Sequence, residues 1–287
     1  MNAAGPDPRV VDRLRCPVCR AGLAAASVGT GHALRCPRRH SFDVARQGYV
    51  NLLAGRAPHS GDTAEMVAAR TDFLAAGHYD VISAALADAG IDDAGGGHPL
   101  VVDAGAGTGQ HLAAVLAAVP AAVGLALDIS KPALRRAARA HPRVTAALAD
   151  TWQRLPVADA SAALLLNVFA PRNGAEFRRV LTPTGRLLVV TPATDHLNEL
   201  VAALGLLRVD PAKADRVAAS LAGHFAEESS TLHRRVLTLS GAEVATLVGM
   251  GPSAWHTDPA GLAARIDALG EPVRVTVAVR LGVYRPA

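Results

Sequence analysis

Two constellations in this chain carry chemistry by residue type and spacing. The first is Cys16-Pro17-Val18-Cys19, followed after sixteen residues by Cys36-Pro37-Arg38-Arg39-His40, and it contains every cysteine of the 287 residues. A C-x2-C knuckle and a C-x3-H knuckle together supply four soft or borderline ligands, the tetrahedral complement of a structural zinc, with no position left open for water. Three cysteines cannot pair completely as disulfides, and an intracellular setting disfavours disulfides in any case. Cys16, Cys19, Cys36 and His40 are therefore expected to hold Zn2+, whose binding supplies folding energy to a segment with little core of its own. The bland alternative is three unrelated thiols.

The second constellation is Val101-Val102-Asp103-Ala104-Gly105-Ala106-Gly107-Thr108-Gly109, running into Gln110-His111-Leu112. It predicts a buried strand that turns sharply into a helix, with no side chains to keep a ligand off the backbone. Its G-x-G-x-G form differs from the dinucleotide fingerprint and is similar to motif I of class I S-adenosylmethionine-dependent methyltransferases. Asp128 follows Gly105 by 23 residues, near the spacing of an acid that receives ribose hydroxyls; a strand-end Asp can instead cap the next helix. Asp150 is placed to accept from an adenine amino group. Asp103 is expected to brace the glycine turn and the amino-acid end of the cofactor, with the backbone of Gly105, Gly107 and Thr108 lining that end. Asn167 and Phe169 follow the fourth strand, where a target base would be held: Asn167 to hydrogen-bond a base edge, Phe169 to stack on it. A plain turn closed by Pro171 is the alternative. No protein nucleophile is needed, because in-line methyl transfer asks for proximity, alignment and exclusion of water.

These residues require an α/β scaffold. From Leu100 onward strand and helix patterns alternate, which predicts a doubly wound parallel sheet with helices on both faces. The expected strands are residues 100–103, 122–127, 144–149, 162–168 and 186–191, the last after a turn at 183–185. Ligands bind across the carboxyl ends of such strands, where the acids fall. Two helices precede the first strand, one opened by the capping-box spacing of Asp62 and Glu65, the other by His78 and Tyr79, with a loop at Gly95-Gly96-Gly97 after them. Tyr79 there is a candidate cofactor contact or a packing residue. A capped helix is expected from Asp195, a closing strand pair over 231–239 and 273–284, and a helix near 261–269. Phe42 and Tyr49, beside arginines, are either base-stacking groups or a small core. The expected domains are residues 1–53 (a zinc-binding RNA-recognition module), 54–61 (a linker) and 62–287 (the catalytic domain).

The net charge of +4 is uneven. Residues 1–60 hold nine arginines against Asp7, Asp12 and Asp43, which predicts a polyanion contact or a solvated basic surface. No apolar run approaches the length of a membrane span, and no signal-peptide pattern is present; a soluble cytoplasmic protein with no membrane partner is expected.

Taken together, the chain resembles the RlmA family of 23S rRNA guanine-N1 methyltransferases over nearly its whole length. The resemblance rests on Cys16-Pro-x-Cys19, Cys36-Pro-x-x-His40-x-Phe42-Asp43-x-Ala45-x-x-Gly48-Tyr49-Val50-Asn51-Leu52-Leu53, Gly61-Asp62-x-x-Glu65-Met66-x-x-Ala69-Arg70 and Ala76-Gly77-His78-Tyr79. Asp103-x-Gly105-x-Gly107-x-Gly109, Leu127-Asp128-x-Ser130-Lys131, Ala170-Pro171, Thr191-Pro192 with His196-Leu197, and Met250-x-Pro252-x-x-Trp255 complete it. It implies a class I methyltransferase (Rossmann-like) sheet with a small N-terminal zinc ribbon that helps recognise an rRNA hairpin loop. It also implies cofactor contacts at Tyr79, Gly107, Thr108 and His196. Residues 167–173 and 204–209 are most similar to the actinomycete branch that modifies a guanine in a domain II hairpin loop at the peptide exit tunnel and confers tylosin-type or mycinamicin-type macrolide resistance. Thr108 stands where other members carry an acid, so its contact is expected through the backbone. The pattern names no general base for the N1 proton.

Two other functions compete with this reading. A small-molecule methyltransferase of a biosynthetic cluster predicts activity on a soluble acceptor that is insensitive to salt. A non-catalytic RNA-binding protein on the same fold predicts no cofactor binding, against the intact 103–109 turn. A homodimer is compatible with each.

Overall fold

The structure is a computed structural model that describes residues 5–29, 31–53, 55, 61–90, 97–210, 212–251 and 259–287. Most of the expected linker, Gly95 and Gly96, and Pro252 with Trp255 lie outside the described residues.

The chain opens with α1 (Pro8–Val11), capped by the Asp7 carboxylate accepting from the Arg9 N–H. β1 (Ala24–Val28), β2 (Gly31–Arg35) and β3 (Ser41–Asp43) form a three-stranded antiparallel ribbon. β4 (Tyr49–Asn51) leaves it for the large sheet. The body follows as α2 (Ala64–Ala75), α3 (Asp80–Asp88), β5 (Leu100–Ala104), α4 (Gln110–Ala118), β6 (Val123–Asp128), α5 (Lys131–Ala140), β7 (Val144–Leu148), β8 (Ala162–Val168), α6 (Gly174–Val180) and β9 (Leu181–Pro192). α7 (Asn198–Leu204), α8 (Lys213–Leu221), β10 (Phe225–Leu239), α9 (Gly241–Gly249), α10 (Pro259–Asp267) and β11 (Val273–Pro286) close it.

The eight strands lie in the order β10-β11-β9-β8-β5-β6-β7-β4. β4 to β9 run parallel and β11 and β10 antiparallel. β5 sits where the winding reverses, so its carboxyl end opens into the crevice that such sheets use for ligands. Its residues are all buried, as the continuous apolar run of a strand covered on both faces requires. Alternate side chains serve two cores. Val101 packs with Phe73, Ile82, Leu112, Leu134 and Leu200 on the face of α2 to α5 and α7. Val102 packs with Leu125, Phe177 and Leu221 on the other face.

That second face explains the N-terminal segment. The crossover from β7 to β8, residues 149–161, contains no helix, and α1 with the ribbon covers the surface it leaves. Val10, Val11, Leu14, Cys16, Leu34 and Cys36 belong to the same buried cluster as Val102 and Leu125. Backbone bonds tie the layers: Arg15 N–H donates to the Pro156 carbonyl at 2.9 Å and Ala158 N–H to the Arg13 carbonyl at 2.8 Å.

Three local expectations are corrected. α2 is capped one residue later than expected, by Thr63, whose hydroxyl accepts from the Met66 N–H, so Asp62 is free for another partner. The helix expected from Asp195 begins instead at Asn198, after Leu197 in the left-handed region at φ 55°; Leu197 N–H donates to the Thr276 carbonyl, and this tie to β11 overrides the local cap. The turn at 183–185 lies inside β9, where the register against β8 jumps from Leu181 to Arg186.

Candidate active site and metal centre

The ribbon knuckles bring Cys16, Cys19, Cys36 and His40 together, with ligand atoms all within 4.8 Å of one another. Cys19 Sγ and Cys36 Sγ are 3.6 Å apart, and His40 Nδ1 lies 3.5 Å from Cys16 Sγ and 3.3 Å from Cys36 Sγ. Metal–sulfur and metal–nitrogen bonds of about 2.3 and 2.0 Å in a tetrahedron require edges of roughly 3.5 Å between S and N and 3.8 Å between two S. The donor set and its edges thus fit a structural zinc. Cys16 and Cys36 are buried, so the ion would sit against the protein core.

The glycine turn is built by its neighbours. Gly105 has φ 89°, and a Cβ there would collide with Ala170, which stands beyond the end of β8. Gly107 has φ 53°, and a Cβ there would lie 3.2 Å from an Arg70 guanidinium nitrogen. Only glycine meets both demands. The N–H groups of Gly105 and Ala106 donate to the Leu127 carbonyl, and Gly107 N–H donates to Asp128 Oδ2 at 2.8 Å.

This turn floors a cavity of about 770 Å³ at the carboxyl ends of β5, β6 and β8. Tyr79, Asp103, Gly105, Gly107, Thr108, Asp128, Asp150 and His196 all line it. Asp128 holds the Ser130 N–H at 2.7 Å through its second oxygen, while Ser130, not Asp128, caps α5. Asp150 accepts from the Trp152 N–H. Asp103 is 2 % exposed and its Oδ1 has no hydrogen-bond partner. Burial, reinforced by the Asp128 charge, pushes its carboxyl up to about 8. Burial raises Asp128 as well. A buried acceptor without a donor, facing a cavity, is the mark of a site that awaits a polar ligand.

Opposite the acids stand three rings. Tyr79 to Phe169, Tyr79 to His196 and Phe169 to His196 are 6.2, 6.3 and 5.9 Å between centroids. His196 Nδ1 accepts from the Ala278 N–H, which fixes a neutral ring with its proton on Nε2, toward the Tyr79 hydroxyl at 3.5 Å. Burial pushes the imidazole down to about 4 and holds the Tyr79 phenol protonated. Phe169 is 43 % exposed at φ 51°, a conformation costly for a bulky residue and retained where the surroundings impose it.

Asn167 departs from expectation. Its side chain is fully buried, and its Nδ2 donates to the carbonyls of Ala104 at 3.1 Å and Pro171 at 2.8 Å. It locks the turn that carries Phe169 to the end of β5 and does not line the cavity. Tyr49 is buried in the main core, so it belongs neither to a base-stacking surface nor to a small core of the ribbon, whereas Phe42 packs half-buried against the second core, which the ribbon shares with the sheet. The expected basic surface is also thinned: Arg9 pairs with Asp7, and Arg13 donates to the His98 carbonyl. Arg20, Arg38, Arg39 and Arg46 stay exposed.

Two families match this chain in tandem: residues 14–60 match the N-terminal zinc-ribbon family of RlmA, and residues 101–185 a methyltransferase domain family. A relative from Micromonospora griseorubida, bearing the name of a 23S rRNA (guanine-N1)-methyltransferase, is 66 % identical over 97 % of this chain and 99 % of its own length. The 23S rRNA (guanine(748)-N1)-methyltransferase of Streptomyces fradiae is 52 % identical over 96 % and 98 %. This chain belongs to the RlmA-type 23S rRNA (guanine-N1)-methyltransferase family. Its third relative, from Bacillus subtilis, is 36 % identical over 67 % of this chain and 69 % of its own length.

The methyltransferase has site residues that motif reading left without a role. Arg70 lines the cavity beside Gly107, held by Asp62 at 2.6 Å and by donation to the Met250 carbonyl at 2.8 Å. Trp152, 57 % exposed, stands on the rim two residues past Asp150. His111 lines the same cavity half-buried, bonded to Ser83, and its desolvation pushes it down to about 4. Among the described residues no helix is long and apolar enough to cross a membrane.

Proposed function

We propose that the chain transfers a methyl group from S-adenosylmethionine to N1 of a guanine in a domain II hairpin loop of 23S rRNA, and so confers tylosin-type or mycinamicin-type macrolide resistance in the cytoplasm. The observation that carries it is the meeting of Tyr79, His196 and Phe169: two residues expected at the cofactor and one expected at the base form one wall. When bound, the cofactor supplies an electrophilic methyl on a sulfonium. Asp128 would accept from the ribose hydroxyls and Asp150 from the adenine amino group. Asp103 and the backbone of Gly105, Gly107 and Thr108 would meet the amino-acid end, with the Arg70 guanidinium facing its carboxylate. Neutral Tyr79 and His196 exclude water without repelling a cation, and Phe169 gives a flipped-out guanine a face to stack on. Asn167 is a positioning residue for that turn.

The zinc ribbon would guide the hairpin. Arg15, Arg20 and Arg154, with Asp159 beside Arg154, line a smaller hollow of about 310 Å³ where the ribbon meets the 149–161 crossover, a basic surface for phosphates of the hairpin. The boundary of this module is proposed at residue 53, with 54–61 as linker and 62–287 as the catalytic domain. We extend the proposal to a homodimer: β10 is a 15-residue edge strand of the sheet, and a second copy would pair along it.

Incubating undermethylated 23S rRNA with labelled S-adenosylmethionine, then mapping by primer extension, tests the activity. A stop next to one guanine of the hairpin is expected, because a methyl at N1 blocks pairing. Label on a soluble acceptor with none on rRNA would overturn the proposal.

A further inference from the structure

One charged cluster at the cavity mouth has no part in the cofactor site. Arg172, Lys213 and Arg216 all line the cavity. Arg172 stands three residues after Phe169, and its Nε is buried without a hydrogen-bond partner. Lys213 and Arg216 lie in the first and second turns of α8. Cations near a helix N-terminus oppose the macrodipole, and this helix has no side-chain cap. Burial pushes both Arg172 and Lys213 below their ordinary ranges, and the neighbouring guanidinium charges add to it. Among the described residues Asp210 is the carboxylate paired here, and it is held by Arg216; neither Arg172 nor Lys213 has an ion-pair partner. Three cations line one mouth while, of the acids on this stretch, Asp210 alone lines it with them, Asp215 of the same helical turn lying outside the cavity lining; this is an arrangement that an anion would relieve.

We infer that Arg172, Lys213 and Arg216 form a phosphate clamp for the RNA backbone next to the nucleotide inserted in the cavity. This rests on the rRNA reading above and adds the element that would seat the strand. Phe169 and Arg172 are consecutive parts of one turn, locked by Asn167 to the Pro171 carbonyl and by Arg172 Nη1 donating to the Ala170 carbonyl. Three residues of chain span at most about 11 Å, within a nucleotide's reach from base to phosphate. Ring and guanidinium would then hold the two ends of the same nucleotide. The cofactor carboxylate is the other anion of the site, and Arg70, beside Gly107, is the cation placed for it.

The test uses the full chain with the double variant K213Q/R216Q, and R172K as a milder change at the less exposed position. Affinity for a labelled transcript of the hairpin is measured across salt concentrations with S-adenosylhomocysteine present, S-adenosylmethionine affinity is measured by calorimetry, and methylation kinetics are recorded. The expected result is a Kd for the transcript raised about tenfold in the double variant. The slope of log affinity against log salt is reduced by about one, as for one lost phosphate contact. The KM for the transcript rises in R172K, and cofactor affinity equals that of the wild type, which also shows that the variants fold. Unchanged transcript affinity and salt slope would overturn the clamp, and so would a parallel loss of cofactor affinity. A wild-type protein that leaves the transcript unmethylated would sink the rRNA reading itself, whereas equal KM values with active wild type would sink the clamp alone.

Discussion

At the scale of single residues, the two carboxylates under the glycine turn do different work. Burial raises the Asp128 carboxyl, but two backbone N–H groups at 2.8 and 2.7 Å oppose that shift and hold both of its oxygens. Asp128→Ala is therefore expected to do two things: weaken S-adenosylmethionine binding by at least about a hundredfold, read by calorimetry, and leave buried donors unmet at a cost of about 1–3 kcal/mol, read by denaturant unfolding. Asp103 has no such donors. Its carboxyl titrates near 8 in the fold against an ordinary 3.8, because of burial and the Asp128 charge. A raised folded value favours the protonated form, so its contribution to stability is complete below about pH 4 and is lost as pH climbs toward 8. The Tm of the cofactor-free protein should fall between about pH 4 and 8 and level off above that, and Asp103→Asn should flatten that decline. An unchanged slope in the variant would remove Asp103 as its source.

At the scale of elements, the metal knuckles and the sheet share a core. Cys16 and Cys36 pack in the cluster that contains Val102, Leu125 and Leu127, so zinc loss acts on the sheet as well as on the ribbon. Cys16→Ser is expected to release the metal, measured by elemental analysis, and to lower Tm by at least roughly 5 °C in one cooperative transition. Two separate transitions would show that the ribbon melts alone. Much of this level was legible beforehand. The Cys and His spacing is local, and the strand and helix alternation from Leu100 needs only periodicity, so both appear in the structure where the sequence puts them. What escaped was long-range. Three residues, Tyr49 to Asn51, carry no strand signal strong enough to assign them to β7, nearly a hundred positions away. Asp195 looks like a cap until β11 takes hold of Leu197. Arg70 reaches the site because α2 is folded over the glycine turn, a placement that no spacing encodes.

At the scale of the whole molecule, α1 and the ribbon substitute for a missing layer. Without α1 and the ribbon, the faces of β6 and β7 that hold Leu125, Leu127 and Ala147 would meet water. A chain begun at residue 62 is expected to aggregate or to unfold at much lower denaturant than the full chain, checked by light scattering and chemical melting. A soluble, cofactor-binding fragment would contradict this dependence.

The crossover of residues 149–161 runs from Asp150 and Trp152 at the cavity to Pro156 and Ala158, whose backbone is stitched to Arg15 and Arg13. One short length of chain is thus wall to the cavity on one end and mooring to the ribbon on the other. Anyone exchanging zinc ribbons between relatives must transplant two stretches that are far apart in the gene. The N-terminal segment will dock productively only with the crossover that evolved beneath it.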